Sequence, residues 1–330
     1  MVSAIKSIHS LQTYCSSQKL KIGITLFLAV ACPLFLLMPA YATTLTVSNN
    51  ADSGAGSLRQ AIASANSGDT IDFASNLANS TITLATGELV IDKALTIAST
   101  VPVTVSGNSS SRVISTSLPL TLTGFTIADG STPDDGAGVF AGDSLVVDKM
   151  TFIGNINSNS QSANGGAIYA VGELQVDHSS FLRNEAQVSG GAIQANNTLM
   201  VNHSTFLDNL AVTGAAGAIN HSAGDGRIIN SVFARNRVVD GAPIFTLNLE
   251  STGHVDVIHN TIVATGFGSE PGFSTAIGVT GGSAAISNTI IMSYTTGIDD
   301  GEGTVIEDFN LFNNVSLERS SGTPAVVNDR

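Results

Sequence analysis

Apolar and polar residues alternate over short runs along most of the chain. The run Leu174-Gln175-Val176 is followed by Ser179-Ser180-Phe181, and Leu199-Met200-Val201 is followed by Ser204-Thr205-Phe206. Alternation with a period of two places one set of side chains on each face of a β-strand. The pattern therefore predicts pairs of short strands, with the two residues between the runs forming a corner. These segments lack the 3.6-residue period of a helix, which argues against a helical solenoid.

Two short motifs recur in phase with these strands. One is a Phe with an Asn three residues later, whose copies lie 29, 25 and 27 residues apart; the other is Gly-Gly-Ala-Ile, whose third copy is degenerate. A fixed repeat of this length predicts a solenoid, here a coil of short parallel strands with one turn per 25–29 residues. The motif residues are Phe152 and Asn155, Phe181 and Asn184, Phe206 and Asn209, Phe233 and Asn236, with Gly165-Gly166, Gly190-Gly191 and Ala216-Gly217.

Equivalent side chains of successive turns are expected to stack about 4.8 Å apart in such a coil. The Phe side chains then fill the interior, and the repeat extends through Phe125, Ile262, Ile290 and Phe312 as further interior positions. The small Gly-Gly positions allow a tight turn or a positive φ. A polar ladder that pairs buried backbone groups is predicted two residues before the interior positions, at Ser179, Ser204, Ser231, Asn260, Asn288 and Asn310.

The paired repeats resemble those of the chlamydial polymorphic outer-membrane proteins. The segment Gly54–Ile62 is similar to the GxGSLRxAI opening of many exported bacterial β-helix proteins. Together the two resemblances cover about residues 43–315. They imply an all-β fold, a right-handed parallel β-helix of about nine or ten turns, with an adhesin-like role at the outer membrane or cell surface.

Residues 43–75 are predicted to cap the first turn of the coil. Ser57 followed three residues later by Gln60 is a capping box, which predicts a helix over 58–66 that ends near Gly68. An amphipathic helix in this place covers exposed strand edges at the end of a solenoid. The coil is assigned to residues 76–315 and a C-terminal tail to residues 316–330. The polymorphic outer-membrane proteins continue into a membrane β-barrel, so we expect this chain to be a truncated member of that family. The apolar face of the helix is predicted to hold Leu58, Ala61, Ile62 and Ala65.

Residues 1–42 predict an export signal. A basic stretch to Lys21 precedes an apolar run over 22–38, and Ala40-Tyr41-Ala42 is a small-x-small cleavage pattern. The apolar run is at the short limit for a membrane span. We therefore expect a cleaved leader and a mature chain without a membrane span. The protein is expected to be secreted, periplasmic or associated with the outer membrane or cell surface.

Charge and cysteine usage narrow the classes of partner. The chain has 26 acidic and 13 basic side chains, a formal net charge of −13. An acidic chain repels phosphate, so nucleic acid is not an expected partner. The expected partner is a glycan or a cell-surface protein. The protein itself is expected to be a monomer. The only cysteines, Cys15 and Cys32, lie in the leader, so the mature chain is expected to hold no disulfide or thiolate metal site. Lipidation of Cys32 is disfavoured because Pro33 and apolar residues follow it.

Two sets of side chains are candidate metal ligands. His178 and His203 occupy the same repeat position on consecutive turns, but a metal site needs a third ligand, so a solvent-facing corner is the preferred interpretation. Carboxylates in loops are Ca²⁺ ligands, which makes Ca²⁺ the one candidate cofactor. As with the histidines, the preferred interpretation is that these carboxylates are solvated turn residues without a metal. The candidate Ca²⁺ ligands are Asp134 and Asp135 in one loop, and Asp299 and Asp300 in another.

Catalysis on polysaccharides is the alternative to a binding role. A uronate lyase needs a basic residue, and Arg183, Arg235 and Arg237 lie close together in the repeat. Asp208 separates Arg183 from Arg235 at the same repeat position, which favours a surface charge ladder. A glycoside hydrolase needs paired carboxylates, and Asp148 and Asp177 share a repeat position. We therefore expect an exported adhesin-like or structural binding module without catalysis, with a lyase or glycosidase of the pectin-lyase-like class as the alternative.

Overall fold

A computed structural model describes residues 42–157, 162–240, 244–264 and 275–320. Apart from Ala42, the predicted leader lies outside the described residues, as do residues 321–330 of the predicted tail. No helix in the described ranges is long and apolar enough to cross a membrane. The described chain is a parallel β-solenoid of about nine turns, which confirms the predicted all-β, parallel β-helix class.

Four sheets, named I to IV here, run along the solenoid, and every strand pairs in parallel with the equivalent strand of the next turn. Sheet I has eleven strands: Thr44–Val47, Thr70–Phe73, Leu95–Ala98, Leu120–Thr123, Leu145–Asp148, Leu174–Asp177, Leu199–Asn202, Gly226–Ile229, His254–Ile258, Ser283–Ser287 and Thr304–Asp308. Sheet II has ten strands: Ser80–Thr83, Val103–Ser106, Thr126–Ala128, Thr151–Ile153, Ser180–Leu182, Thr205–Leu207, Val232–Ala234, Thr261–Val263, Ile290–Met292 and Leu311–Asn313.

The other two sheets complete each turn. Sheet III has ten strands: Leu89–Ile91, Ile114–Thr116, Val139–Ala141, Ile168–Ala170, Ile193–Ala195, Ala216–His221, Phe245–Leu249, Thr275–Val279, Thr296–Asp299 and Leu317–Ser320. Sheet IV has five two-residue strands: Ser131–Thr132, Ile156–Asn157, Glu185–Ala186, Leu210–Ala211 and Arg237–Val238. The chain passes through sheets I, II, IV and III in that order within a turn that holds all four.

The interior of the solenoid is a stack of aromatic rings flanked by aliphatic rows. Phe152, Phe181, Phe206 and Phe233 are fully buried, with successive ring centroids 4.9, 4.7 and 4.7 Å apart. Neighbouring ring planes differ by at most 9°. The predicted interior Phe ladder is therefore confirmed over these four turns, and Ile262 continues it by pairing with Phe233.

Two interior positions were assigned to the wrong residue. Ile127, and not Phe125, pairs with Phe152. Phe125 lies two residues earlier, where it is also buried and packs against Phe73 at 5.6 Å. Near the other end, Ile291 pairs with Ile262 and is fully buried, whereas Ile290 is 36 % exposed. Both errors occur where the Phe-x-x-Asn motif is incomplete and a second apolar residue lies one or two positions away, so that only the strand register selects one.

The corner between sheets I and II holds the predicted polar ladder. Ser204 Oγ accepts the backbone N–H of Ser179 at 3.1 Å and donates to the carbonyl of Asn202 at 2.8 Å. The same pattern continues through Ser231 and Asn260. One member was wrong, because Thr289 takes the place predicted for Asn288, in step with the shift from Ile290 to Ile291. The ladder is Ser179, Ser204, Ser231, Asn260, Thr289 and Asn310.

The Asn of each Phe-x-x-Asn motif forms a second, internal ladder that the sequence did not reveal. Asn155, Asn184, Asn209 and Asn236 are almost completely buried. The side-chain amides of the first three each donate to the side-chain oxygen of the next Asn, at 2.8–3.0 Å. All four also donate to a backbone carbonyl of the preceding turn. A buried amide is stable only when such partners are present.

The Gly-Gly motif serves two separate purposes. Gly165 and Gly190 have φ of 65° and 66°, in the left-handed region that favours glycine. The next residue, Gly166 or Gly191, lies so close to the backbone carbonyl of the following turn that a Cβ would clash with it. The predicted positive φ therefore applies to the first glycine of each pair, whereas the close approach between turns at the second glycine was not predicted.

The helix of the predicted cap spans Leu58–Ser64. Ser57 is its N-cap and accepts the N–H of Gln60 at 3.2 Å, but the Gln60 side chain bonds to Ser64. Only half of the predicted capping box is thus present. The helix ends two residues earlier than predicted, and its predicted apolar face, Leu58, Ala61, Ile62 and Ala65, is buried.

Candidate functional site

The corner between sheets I and II carries a row of residues with left-handed backbones. Their φ values include 45° at His178, 47° at His203 and 57° at His259. Glycine, asparagine and, to a smaller degree, histidine and aspartate tolerate this region. Six of the eight residues in the row are of these types, Lys149 and Phe309 being the exceptions, and the side chains of the row face solvent. The row consists of Gly124, Lys149, His178, His203, Asn230, His259, Asn288 and Phe309.

His178 and His203 lie side by side in this row. Their imidazole rings are stacked, with centroids 4.8 Å apart and planes 14° apart. Asp177, the last residue of its sheet I strand, faces both rings. Its carboxylate oxygens lie 3.0 Å from His178 Nδ1 and 3.7 Å from His203 Nδ1. A third side chain that could bind a metal, which the sequence did not identify for this pair, therefore lies on the same corner.

The predicted carboxylate pair lies on adjacent strands. Asp148 and Asp177 are register partners in sheet I. Asp148 contacts Lys149 Nζ at 3.2 Å and accepts a hydrogen bond from the Thr123 hydroxyl at 3.3 Å. Asp177 faces the histidines, so the two carboxylates have different partners. The two carboxylates therefore lie on neighbouring strands, but they do not share the surroundings that a paired acid and base need.

The arginines divide between the corner that follows sheet II and sheet IV. Arg183 and Arg235 have left-handed backbones at that corner, whereas Arg237 lies on a sheet IV strand. Arg235 forms two parallel hydrogen bonds to Asp208, at 2.6 and 2.7 Å. These bonds hold the pKa of Asp208 below its usual value, and the charges of Arg183 and Arg237 add to the effect. The arrangement has the alternating charges of a surface ladder.

The first pair of Ca²⁺ candidates lies in a hydrogen-bonded loop. Asp135 Oδ1 accepts the backbone N–H of Asn164 at 2.7 Å, and Arg112 donates to the Asp135 carbonyl at 3.0 Å. The Asp134 N–H donates to the Thr132 hydroxyl at 3.2 Å, while its side chain faces solvent. These contacts link adjacent turns. A Ca²⁺ ion at this loop stays a prediction.

The second pair of Ca²⁺ candidates, Asp299 and Asp300, forms hydrogen bonds between the last described turns. Asp300 is 1 % exposed and accepts two hydrogen bonds from Arg319, at 2.7 and 3.2 Å. Asp299 accepts the Gly301 N–H at 3.2 Å and the Ser320 hydroxyl at 2.7 Å. Burial of an ion pair is tolerated when both charges are hydrogen-bonded. Both carboxylates thus have hydrogen-bond partners in the protein, and a Ca²⁺ ion at this loop stays a prediction.

The outer face of sheet I holds a groove that the sequence did not indicate. The groove has a volume of about 320 Å³ and is lined by Met200, Arg227, His254 and Asp256 among others. His254 Nδ1 lies 2.8 Å from the Ser283 hydroxyl, and Nε2 lies 3.3 Å from Asp256 Oδ1. These residues come from neighbouring strands whose register was not worked out from the sequence. The signal available in the sequence was their common strand position.

The chain matches no protein-family model, and the search of curated proteins finds no similar sequence. The class that the described residues define is a parallel β-solenoid.

Proposed function

We propose that the protein is an exported β-solenoid that binds a glycan or a cell-surface protein through the outer face of sheet I, without catalysis. The observation that carries the proposal is the continuity of this face. Eleven strands lie in one parallel sheet, so ten inter-strand steps of about 4.8 Å give it a length of about 48 Å. A face of this length suits an extended ligand.

The groove on this face supports a sugar ligand. Met200 is 43 % exposed and offers apolar surface, while Arg227 and Asp256 offer a donor and an acceptor on the next two strands. Binding sites commonly combine apolar contact with a few directed polar groups. Sugar rings present the matching surface, with C–H groups on their faces and hydroxyls on their edges.

The placement of the arginines supports a role without catalysis. Arg235 is held by Asp208, and Arg237 lies on a different sheet from Arg227. A lyase needs its basic group free to remove a proton next to the uronate carboxylate. An arginine held in a bidentate ion pair is a poor base for that step.

A binding assay tests the proposed face. Purified full-length protein is applied to a glycan array, and the sugars that are retained are titrated. Arg227→Ala and Met200→Glu are expected to weaken saturable binding at least about tenfold, which corresponds to about 1.4 kcal/mol. Arg237→Ala is the matched control on another sheet and is expected to bind as the wild type does. Equal loss in all three variants, or no saturable binding to glycans or to cells, contradicts the proposal.

A lyase assay tests the absence of catalysis. Polygalacturonate and alginate are incubated with the protein, with and without Ca²⁺, and ultraviolet absorbance reports unsaturated uronate products. We expect no product. Product that forms in the wild type and is abolished in Arg235→Ala would establish the enzymatic alternative.

One specific observation favours an enzyme of a different kind. Ser283, His254 and Asp256 form a hydrogen-bonded chain next to the groove. A serine whose hydroxyl contacts an imidazole, which in turn contacts a carboxylate, has the order of a nucleophile, a base and an orienting group. In such a site the imidazole takes the hydroxyl proton as the serine oxygen attacks an ester carbonyl, and it then gives that proton to the departing alcohol. Water hydrolyses the acyl-serine and restores the free serine.

Ester hydrolysis distinguishes this second function from binding alone. The wild type, Ser283→Ala and Ser287→Ala are compared on p-nitrophenyl acetate and with a fluorophosphonate label. Ser287 lies on the same strand and also points outward, so it is the matched control. Labelling and hydrolysis that disappear only in Ser283→Ala establish the hydrolase. Equal signals in all three proteins exclude it.

A further inference from the structure

We propose that Asp177, His178 and His203 form a binding site for a divalent transition metal ion, with zinc as the preferred ion. The three side chains come from two consecutive turns and meet outside the corner between sheets I and II. Their ligand atoms all lie within 4.8 Å of one another. This site lies apart from the groove of sheet I and does not depend on the function proposed above.

The separations of the ligand atoms fit a small ion. Zinc binds imidazole nitrogen at about 2.0–2.1 Å and carboxylate oxygen at about 2.0–2.2 Å, so a tetrahedral ion separates its ligand atoms by about 3.4 Å. Asp177 Oδ2 lies 3.0 Å from His178 Nδ1, and the other oxygen, Oδ1, lies 3.7 Å from His203 Nδ1. Each distance is within about 0.4 Å of that separation, with one carboxylate oxygen facing each ring.

The backbone places these ligands in advance. Asp177 ends a sheet I strand, and His178 follows it in the left-handed corner. The parallel register pairs Asp177 with Asn202, which places His203 one turn above His178. Because the register and the corner set all three Cα positions, metal binding orders only the side chains.

The side chains are accessible and able to move. Asp177, His178 and His203 are 45, 52 and 49 % exposed at their side chains. Since the stacked rings have centroids 4.8 Å apart and planes that differ by only 14°, the imidazoles must tilt to direct both nitrogens at one ion. Their exposure permits this rotation. It also leaves at least one coordination position open to water or to an outside ligand, as in zinc sites with three protein ligands.

The ligand set selects the class of ion. Two imidazole nitrogens and one carboxylate suit zinc, copper and nickel, whereas Ca²⁺ takes six to eight oxygen ligands. The site therefore differs in chemistry from the Ca²⁺ sites considered at Asp134 and Asp299.

The test is a zinc titration followed by calorimetry and by competition with a chromophoric zinc indicator. The full chain is used without a histidine tag, with Cys15 and Cys32 changed to Ser in every protein so that neither thiol binds zinc. His178→Asn and His203→Asn each remove a ligand. Asn already occupies the same left-handed position at Asn230, so these changes are expected to preserve the corner. Circular dichroism checks the fold of each variant.

Two matched controls come from the neighbouring turns. His259→Asn makes the same substitution at the same corner, and Asp148→Asn changes the register partner of Asp177. We expect the wild type and both controls to bind one additional zinc ion compared with the His178→Asn, His203→Asn double variant. Loss of a partner outside the ligand shell already costs about 10–100-fold, so each single ligand variant is expected to lose at least about tenfold in affinity.

Three results would overturn the proposal. The first is that the wild type binds no more zinc than the double variant. The second is that His259→Asn lowers the affinity as much as His203→Asn does. The third is displacement of the zinc by an equal concentration of Ca²⁺.

Discussion

Replacing Asn209 with alanine removes the central rung of the internal amide ladder. Asn209 Oδ1 accepts both the backbone N–H and a side-chain N–H of Asn184, each at 3.0 Å. Its own amide donates to the Phe181 carbonyl at 3.0 Å and to Asn236 Oδ1 at 2.8 Å. The substitution therefore leaves two buried donors of Asn184 without their acceptor.

The expected loss follows from those two donors. A buried polar group left without a partner costs about 1–3 kcal/mol, so the two N–H groups together predict a loss of about 2–6 kcal/mol in the free energy of unfolding. Asn202→Ala is the matched control in the same turn, because the Asn202 side chain is partly exposed and accepts one bond of 3.3 Å from Asn230. The control is expected to lose less than about 1 kcal/mol.

Urea unfolding, followed by far-ultraviolet circular dichroism, measures both variants against the wild type. The difference in midpoint multiplied by the common slope gives the loss for each variant. The two positions lie in one turn, so effects of the turn as a whole cancel in the comparison. If Asn209→Ala is within about 1 kcal/mol of Asn202→Ala, the ladder does not stabilise the solenoid in the way proposed.

Three further predictions concern the interior, the titration of a buried histidine and the cap. Phe206→Ala, which removes a ring stacked at 4.7 Å on both sides, is expected to lower the free energy of unfolding by about 3–5 kcal/mol, whereas Phe206→Leu should lose less in the same urea titration. Burial lowers the pKa of His221. As the pH falls, this histidine is therefore protonated in the unfolded state before it is protonated in the folded state, so the free energy of unfolding should fall by up to about 1.4 kcal/mol per pH unit below about pH 6.5. A His221→Gln variant with the same pH dependence would contradict this. Ser57→Ala removes the N-cap bond to Gln60 and should cost about 1 kcal/mol, measured as a lower melting temperature, with Ser64→Ala as the control.

The repeats predicted the strands and their order because a residue that recurs at one position must face the same way in every turn. This reasoning succeeded where the motif is complete, as at Phe181 and Phe206. It failed at Phe125 and Ile290, where the Asn of the motif is missing and a second apolar residue, Ile127 or Ile291, lies close by. Choosing between such neighbours requires the hydrogen-bond register, which depends on the backbone of the adjacent turn.

The candidate site was less predictable than the fold. A recurring Asn suits an exposed turn as well as a buried ladder, so the role of Asn184 could not be read from its recurrence. The contact of Asp177 with His203 crosses from one turn to the next at a corner, where the side-chain directions depend on the left-handed φ of the histidines. Sequence spacing placed the two histidines together but did not show that Asp177 faces them.

The amide ladder also gives the rod an electrical direction. From Asn155 to Asn209, one side-chain N–H of each Asn donates to Oδ1 of the next Asn toward the C-terminus, while the other N–H donates to the preceding turn. At the first rung Asn155 Oδ1 accepts the N–H of Gly130 from the preceding turn, so the three bonds between the side chains all run in one direction. Aligned amides polarise one another in a low-dielectric interior. Their dipoles therefore add along the axis, as peptide dipoles do in an α-helix, and the solenoid carries inside it a row of side chains with a positive and a negative end.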